Sequence, residues 1–545
     1  MGQVVSTEGT TPFPISIPGQ GTLTGYTFKS PRTNNVTTHR FAQIPYAEPF
    51  TKENRFKRPV PLADDFDYTG DYKEFGLKCP QPSVPNPAFR YTKSPSDENI
   101  NKLNIWVPSS DKYKESDGWP VLVYIHGGWL QYSSPYSEFF NTNEMFDDEE
   151  FTQKYILVTP GYRLNMFGFL SGKELLEEDE ASSNFGFWDQ RLAIEWTYKY
   201  IKYFGGNPDK ISVGGISAGA YSTFFQLAYE LYHPEDNQII KQALFFSNLV
   251  YVQPKTIEEC QEQFDEIVEK LDIDPKASGQ EKLAVLRELD APFIEDFIPT
   301  LTHHTFRAVT DDKFISSTLI KDLDSGEYAR RLLSIKGDKF RILCGEVDNE
   351  PLKYSLLNTP QTLGELPVQV GNYYPKNIVD SLLDLYKVDK LNPASPTLKE
   401  DLRVAYGDII GDGQVYASGR GYLHKLVEHG FPSKNIFRYR VSYRAKWLDN
   451  HIEPDDRVPH AGDFSLWFYC LREGYTDEER IHINEWLQPY LQFLNFKSLD
   501  SWDSDDVKKY RIFKEDGSFD YVDDIHWDWG VKVATTAYKA QLTGQ

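Results

Sequence analysis

Ser212 to Ser222 read SVGGISAGAYS, and one serine set among small residues is the informative feature. Ile211–Gly215 reads as a short strand, and Ala218 to about Leu231 reads as a helix. The joint between them is Gly215-Ile216-Ser217-Ala218-Gly219, a G-x-S-x-G pattern. A turn this tight from strand to helix admits only small flanking side chains, which accounts for the glycines. It pushes the serine into strained backbone geometry, with its hydroxyl exposed at the sheet edge. The start of the helix offers free N–H groups to a negatively charged oxygen. The pattern alone recurs in many proteins, and a plain glycine-rich turn is the bland alternative. With a strand before it and a helix after it, the pattern predicts a nucleophile elbow at Ser217.

A second motif lies upstream. His126-Gly127-Gly128-Trp129 follows directly on the apolar strand Val121–Ile125. The backbone N–H groups of Gly128 and Trp129 are placed to converge with that of Ala218 on a carbonyl oxygen. Glycine lets the backbone approach closely there. His126 reads as a structural member of this loop rather than as a base. Further short apolar runs are Tyr155–Pro160, Ala243–Ser247, Phe340–Gly345 and Asn435–Ser442. Between two of them a helical pattern opens at Asp189, with Leu192, Trp196, Tyr200 and Phe204 repeating until Gly205-Gly206 stop it. Short apolar strands alternating with helices predict an α/β fold with a mostly parallel sheet covered on both faces. From about 253 to 335 the chain turns helical and acidic, which reads as an insertion over the sheet that could cover a pocket. Its stripe Cys260, Phe264, Ile267 and Leu271 faces inward, and its charged face is solvated. The final stretch after Trp527 reads as a surface ending.

The bulk numbers narrow the function classes. The chain has 545 residues and a net charge of −23, which disfavours nucleic acid and anionic membrane surfaces as partners. The four cysteines, Cys79, Cys260, Cys344 and Cys470, are far apart and show no zinc spacing. No apolar run is long enough to span a membrane. The first residues lack the basic start and apolar core of a secretory signal. They do match a myristoylation pattern through Gly2 and Ser6, although so short a pattern arises readily by chance, and one acyl chain gives only marginal membrane binding. The single glycosylation sequon, at Asn35, is weak evidence of use.

Taken together, HRFAQIPYAEPF from His39, TPGYRLNMFGFL from Thr159 and NFGFWDQRLAIEW from Asn184 through the elbow resemble the type-B carboxylesterases. That family includes cholinesterases and some fungal lipases, and the resemblance runs from about Phe41 to about Phe468. It implies one α/β-hydrolase domain over 1–545, with an N-terminal extension over about 1–20 and the helical insertion noted above. It also implies ester hydrolysis by a Ser-Glu-His triad. The family's acid stretch corresponds to FRILCGEVDNEP, which supplies Glu350, with Asp348 and Glu346 as nearby competitors. Pro351 stands where the family has glycine. The family's histidine stretch corresponds to DRVPHAGDF, which supplies His460, with Asp463 following. Ser222 resembles the family's supporting serine near the acid.

The departures shape the expected specificity. Ile216 replaces the glutamate that cholinesterase-like members carry before the nucleophile, which argues against cationic choline esters. Trp129 replaces the third oxyanion glycine; its N–H still donates, and its indole narrows the pocket. Ile100 stands where Cys79 would find its usual partner, and Cys260 has none nearby, so the family's disulfides are absent. With no secretory signal, this points to a reducing, cytoplasmic setting. The expected activity is hydrolysis of a small-molecule ester through an acyl-enzyme on Ser217, with His460 as base and Glu350 behind it, and with no metal or cofactor. The alternatives are a lipase acting at interfaces, or a non-catalytic binding protein on the same fold.

Overall fold

Alternation within the short strands sets the architecture. In Trp119–Ile125 the side chains of Val121, Val123 and Ile125 join one buried cluster, while Leu122 and Tyr124 join another. The same division separates Val213 from Leu244 and Phe245 from Phe246. Strands buried on both faces read as continuous apolar runs, and such strands pair in parallel beneath two layers of helices.

The computed structural model describes residues 11–30, 33–84, 94–136, 140, 142–148, 150–450, 452–470, 474–499 and 501–543. Its strands are β1 (Thr11–Ile17), β2 (Gly21–Lys29), β3 (Val36–Pro45), β4 (Gly70–Asp71), β5 (Lys102–Pro108), β6 (Trp119–Ile125), β7 (Ile156–Pro160), β8 (Gly206–Ile216), β9 (Gln242–Phe246), β10 (Arg341–Val347), β11 (Ile436–Val441), β12 (Lys509–Phe513) and β13 (Phe519–Asp523). They form one sheet in the order β1-β2-β3-β5-β7-β6-β8-β9-β10-β11-β12-β13, with β4 beside β2. From β7 through β12 every neighbouring pair is parallel. The edges are antiparallel. This is the α/β-hydrolase arrangement.

Register aligns the carboxyl ends of the central strands. Ile125 pairs with Gly215, Ile216 with Phe246, and Phe246 with Gly345. The loops that follow β6, β8, β9 and β10 therefore open at one edge, where open α/β sheets place their ligands. One face is covered by the helices Phe185–Tyr200 and Ala218–Tyr232, through Ile194, Trp196, Phe224 and Leu227. The helix Asp477–Leu494 covers the other, through Trp486, Leu487, Tyr490 and Leu491.

Several local expectations change. The helix read from Asp189 begins at Phe185. Asp189 lies inside it, fully buried, where Arg163 Nη2 and Nε donate to its two oxygens at 2.8 Å each. Its charge answers a buried partner rather than marking a helix start. Residues 11–17, within the expected N-terminal extension, form β1 against β2. The myristoylation pattern at Gly2 and Ser6 lies outside the described residues. The stretch after Trp527 is a helix, Trp527–Thr543, with Trp527, Val533, Ala534, Ala537 and Tyr538 buried. The helices of 253–335 pack onto the sheet-face cluster through Phe264, Ile267, Leu283 and Leu286. A third cluster joins Trp129 to Tyr354, Val370, Ile378, Leu382 and Ile409. Val370, Ile378, Leu382 and Ile409 come from later helices, Glu365–Gly371, Lys376–Leu385 and Leu398–Gly411, which form a separate roof.

Candidate active site

Ser217 takes φ 55° and ψ −123°, directly between β8 and the helix Ala218–Tyr232. Positive φ at a non-glycine residue is strained, and here the strain is held by backbone hydrogen bonds. Ser217 N donates to Phe246 O at 2.8 Å, and Tyr221 N donates to Ser217 O at 2.9 Å. The glycines of the motif answer to close approach. A Cβ on Gly215 would stand 2.3 Å from Ile125 O, and one on Gly219 would stand 2.0 Å from the same oxygen. Neither backbone could yield without moving β6.

The loop after β6 wraps the same point. Gly128 has φ +109°, and Trp129 and Leu130 have φ of 58° and 66°. Gln131 N and Tyr132 N both donate to Gly128 O, at 2.8 and 2.9 Å, which curls the loop back. Among the described residues no hydrogen bond takes the N–H of Gly128 or Ala218. His126 faces away: its ring stacks on Tyr162 at 4.4 Å, and Tyr162 OH donates to His126 O at 2.7 Å. Burial pushes its imidazole down to about 4, so the ring is neutral at ordinary pH. That suits a structural group in the loop.

Glu350 and His460 meet. His460 Nδ1 hydrogen-bonds Glu350 Oε2, with both side chains buried. Glu350 Oε1 accepts from Val347 N at 2.9 Å. The two loops are tied by Asn349 N donating to Val458 O at 2.9 Å. The competing acids are committed elsewhere. Glu346 Oε1 and Oε2 take Arg420 at 2.9 Å each, and Asp348 accepts from Ser442 Oγ at 2.7 Å and from Arg440 Nε at 3.1 Å. Pro351 occupies the first turn of a short helix, Glu350–Ser355, where its fixed φ and missing N–H cause no loss.

The Ser217 hydroxyl and His460 Nε2 do not hydrogen-bond each other here. Nε2 is buried and has no hydrogen-bond partner among the described residues. Tyr354 touches both groups. Its hydroxyl contacts the Ser217 side chain, its ring sits 5.0 Å from the His460 ring, and it meets the Trp129 indole edge-on at 5.9 Å. Burial, reinforced by the charge of Glu350, raises the Tyr354 phenol well above its usual range, so it remains a neutral donor. Sequence reasoning missed Tyr354. The signal available was its place four residues after Glu350, which shares a face with it only once that segment is helical. It also missed Tyr416, whose hydroxyl lies 2.8 Å from Asp348 O, 3.0 Å from Val347 O and 3.2 Å from Glu350 N, bracing the acid turn.

Ser222 is placed differently from the reading as a support for the acid. Its Oγ donates to Ala218 O at 2.8 Å and accepts from Gln190 Nε2 at 3.1 Å. It braces the start of the elbow helix and has no bond to Glu350. Asp463, three positions after His460, is fully buried. Its Oδ2 accepts from Trp467 Nε1 at 2.8 Å, while Oδ1 has no partner among the described residues. Burial, with the Glu350 charge adding to it, pushes this carboxyl up to about 7. Among the described residues no cluster of His, Cys, Asp and Glu could hold a metal ion, and no helix is long and apolar enough to cross a membrane.

The arrangement can activate a hydroxyl beside backbone N–H donors. The family model described as Carboxylesterase family matches residues 13–497. An uncharacterized esterase/lipase of Schizosaccharomyces pombe is 44% identical over 541 residues, covering 97% of both chains. A carboxylic ester hydrolase of Gibberella moniliformis is 33% identical over 529 residues, covering 94% of both. An acetylcholinesterase of Trittame loki is 36% identical over 199 residues, covering 35% of this chain and 34% of its own. With the fold, the elbow and a match along nearly its whole length, the chain belongs to the carboxylesterase family.

Proposed function

We propose that the protein is a serine carboxylesterase working through an acyl-enzyme on Ser217. The observation that carries this is the buried Glu350–His460 hydrogen bond beside a strained serine at the carboxyl edge of the sheet. His460 Nε2 takes the Ser217 proton as Oγ attacks the ester carbonyl. Glu350 holds Nδ1–H, fixing the tautomer and stabilising the imidazolium. The oxyanion settles on the N–H groups of Gly128, Trp129 and Ala218. His460 then protonates the departing alcohol, and water repeats the sequence on the acyl group. The Ser217 hydroxyl must first turn from Tyr354 toward Nε2, the kind of tightening that apo sites undergo on binding substrate. A small-molecule ester is the substrate class, and no cofactor takes part in these steps. The cytoplasmic setting belongs to the same proposal and is supported by four cysteines that form no disulfide.

Hydrolysis of p-nitrophenyl butyrate tests the reading. Ser217→Ala should lower kcat/KM by about 10³-fold or more. A fluorophosphonate should add its mass to the peptide bearing Ser217 and to no other. Equal rates for wild type and variant would sink the assignment.

A further inference from the structure

The Tyr354 phenol oxygen meets the Ser217 side chain, and among the described residues no other group hydrogen-bonds either hydroxyl. Tyr354 is buried, and a buried phenol ordinarily keeps a partner. The contact is built in by the acid's own helix. Glu350 opens the helix Glu350–Ser355, and Tyr354 follows four positions later on the same face. That helix lies hard against Leu398–Gly411. A Cβ on Gly407 would stand 2.7 Å from Ser355 Cβ, and one on Gly411 would stand 2.9 Å from Pro351 Cα. The phenol ring is fixed further by the His460 ring at 5.0 Å and the Trp129 indole at 5.9 Å. One short segment therefore delivers both the carboxylate behind His460 and a hydroxyl onto Ser217.

Each of the two hydroxyls carries one proton. Once the Ser217 proton turns to His460 Nε2, Ser217 has none left to donate to the phenol. The phenol O–H is then the donor and Oγ the acceptor. Such a donor helps wherever its acceptor gains negative charge. In acylation Oγ is the attacking atom and spends its electron pair. In deacylation Oγ is the departing atom, and the charge builds on it.

We propose that Tyr354 is a further catalytic residue, a hydrogen-bond donor to Ser217 Oγ that speeds hydrolysis of the acyl-enzyme. The inference rests on Ser217 being the nucleophile. Water adds to the acyl carbon and gives its proton to His460 Nε2. The C–Oγ bond then breaks, its electron pair passes to Oγ, and Oγ takes the proton from Nε2 while the Tyr354 O–H holds the oxygen. The phenol keeps its own proton throughout, as burial and the nearby Glu350 charge require.

Stopped-flow hydrolysis of p-nitrophenyl butyrate by wild type, Tyr354→Phe and Ser217→Ala tests this. Here kcat/KM reports acylation, and kcat also contains deacylation. Tyr354→Phe should release a burst of p-nitrophenol close to one equivalent, then turn over with kcat lowered about tenfold or more and kcat/KM changed less than about threefold. Intact mass of the variant, quenched during turnover, should show the butyryl adduct. A purely structural role would lower kcat and kcat/KM together, and that result overturns the proposal, as does an unchanged kcat. A fully active Ser217→Ala overturns the esterase reading and this inference with it. An inactive Ser217→Ala beside a Tyr354→Phe of unchanged kcat overturns the phenol's part alone.

Discussion

Ser217 holds a conformation that costs about 1–3 kcal/mol, and its neighbours over-determine it. Phe246 O fixes its amide, and Ile125 O leaves room only for glycine on either side. Local crowding of this kind is legible in sequence, since only glycine and a small polar residue satisfy it. The proposed choice of Glu350 over Glu346 and Asp348 was less legible, because arginines far along the chain hold the other two acids. Tyr354 was not legible at all, as nothing near it in sequence reports the Ser217 side chain. Asp463 is the residue whose burial makes a pH statement. Its folded value of about 7 lies above the ordinary carboxylate value of about 3.9, so the native state binds the proton more tightly than the unfolded one. Stability from this group is present at low pH and is lost as pH rises from about 4 to 7; above that window the native state carries a buried charge. Asp463→Asn should raise stability by on the order of 2 kcal/mol at pH 8.5 and by little at pH 4.5. Thermal unfolding at both pH values checks this. A gain of equal size at both would show that the carboxyl is not held protonated.

The acid turn depends on the elements behind it. The helix Ala417–Glu428 and strand β11 deliver Arg420, Arg438 and Arg440 to one buried group of ions. Arg420 joins Glu346 to Asp524 at 2.9 Å each, Arg438 takes the other oxygen of Asp524 at 2.6 Å, and Arg440 takes Glu346 at 3.1 Å. Arg420 Nη1 also donates to Tyr416 O, on the residue whose hydroxyl braces Glu350. Removing one partner from a buried network leaves charge uncompensated, so Arg420→Met should cost about 3–5 kcal/mol. Arg420→Met with Glu346→Gln should cost less than the sum of the two singles, measured by urea unfolding. Strict additivity would mean the ions do not act together. The central strands were legible because double-sided burial forces unbroken apolar runs. Strands β1–β3 and β12–β13 were not, since polar residues interrupt their apolar positions and they reveal themselves only through their partners. Asp189 shows the same limit, because a charge in a helix was read as its beginning without knowledge of Arg163.

Across the whole molecule, two apolar clusters sandwich the sheet while a third, with Trp129 and Tyr354, stands apart as a roof over its carboxyl edge. The roof was the least legible part. It gathers residues from about 84 to 537, and the acidic insertion after Gln253 looked like the better cover. Its helices carry polar outer faces, and Val368 and Val404 are exposed. Segments outside the main core open with smaller free energies than core strands. A chain of 545 residues with separate clusters is also poorly described by a single unfolding step. Amides of Glu365–Gly371 and Lys376–Leu385 should therefore exchange hydrogen at least tenfold faster than those of β6, β8 and β9. Loss of esterase activity in urea should precede loss of the far-ultraviolet circular dichroism signal, because Tyr354 and Trp129 bind the site to the roof rather than to the sheet. Equal protection of roof and sheet, with coincident transitions, would mean that the three clusters fold as one unit and that substrate enters without the roof opening.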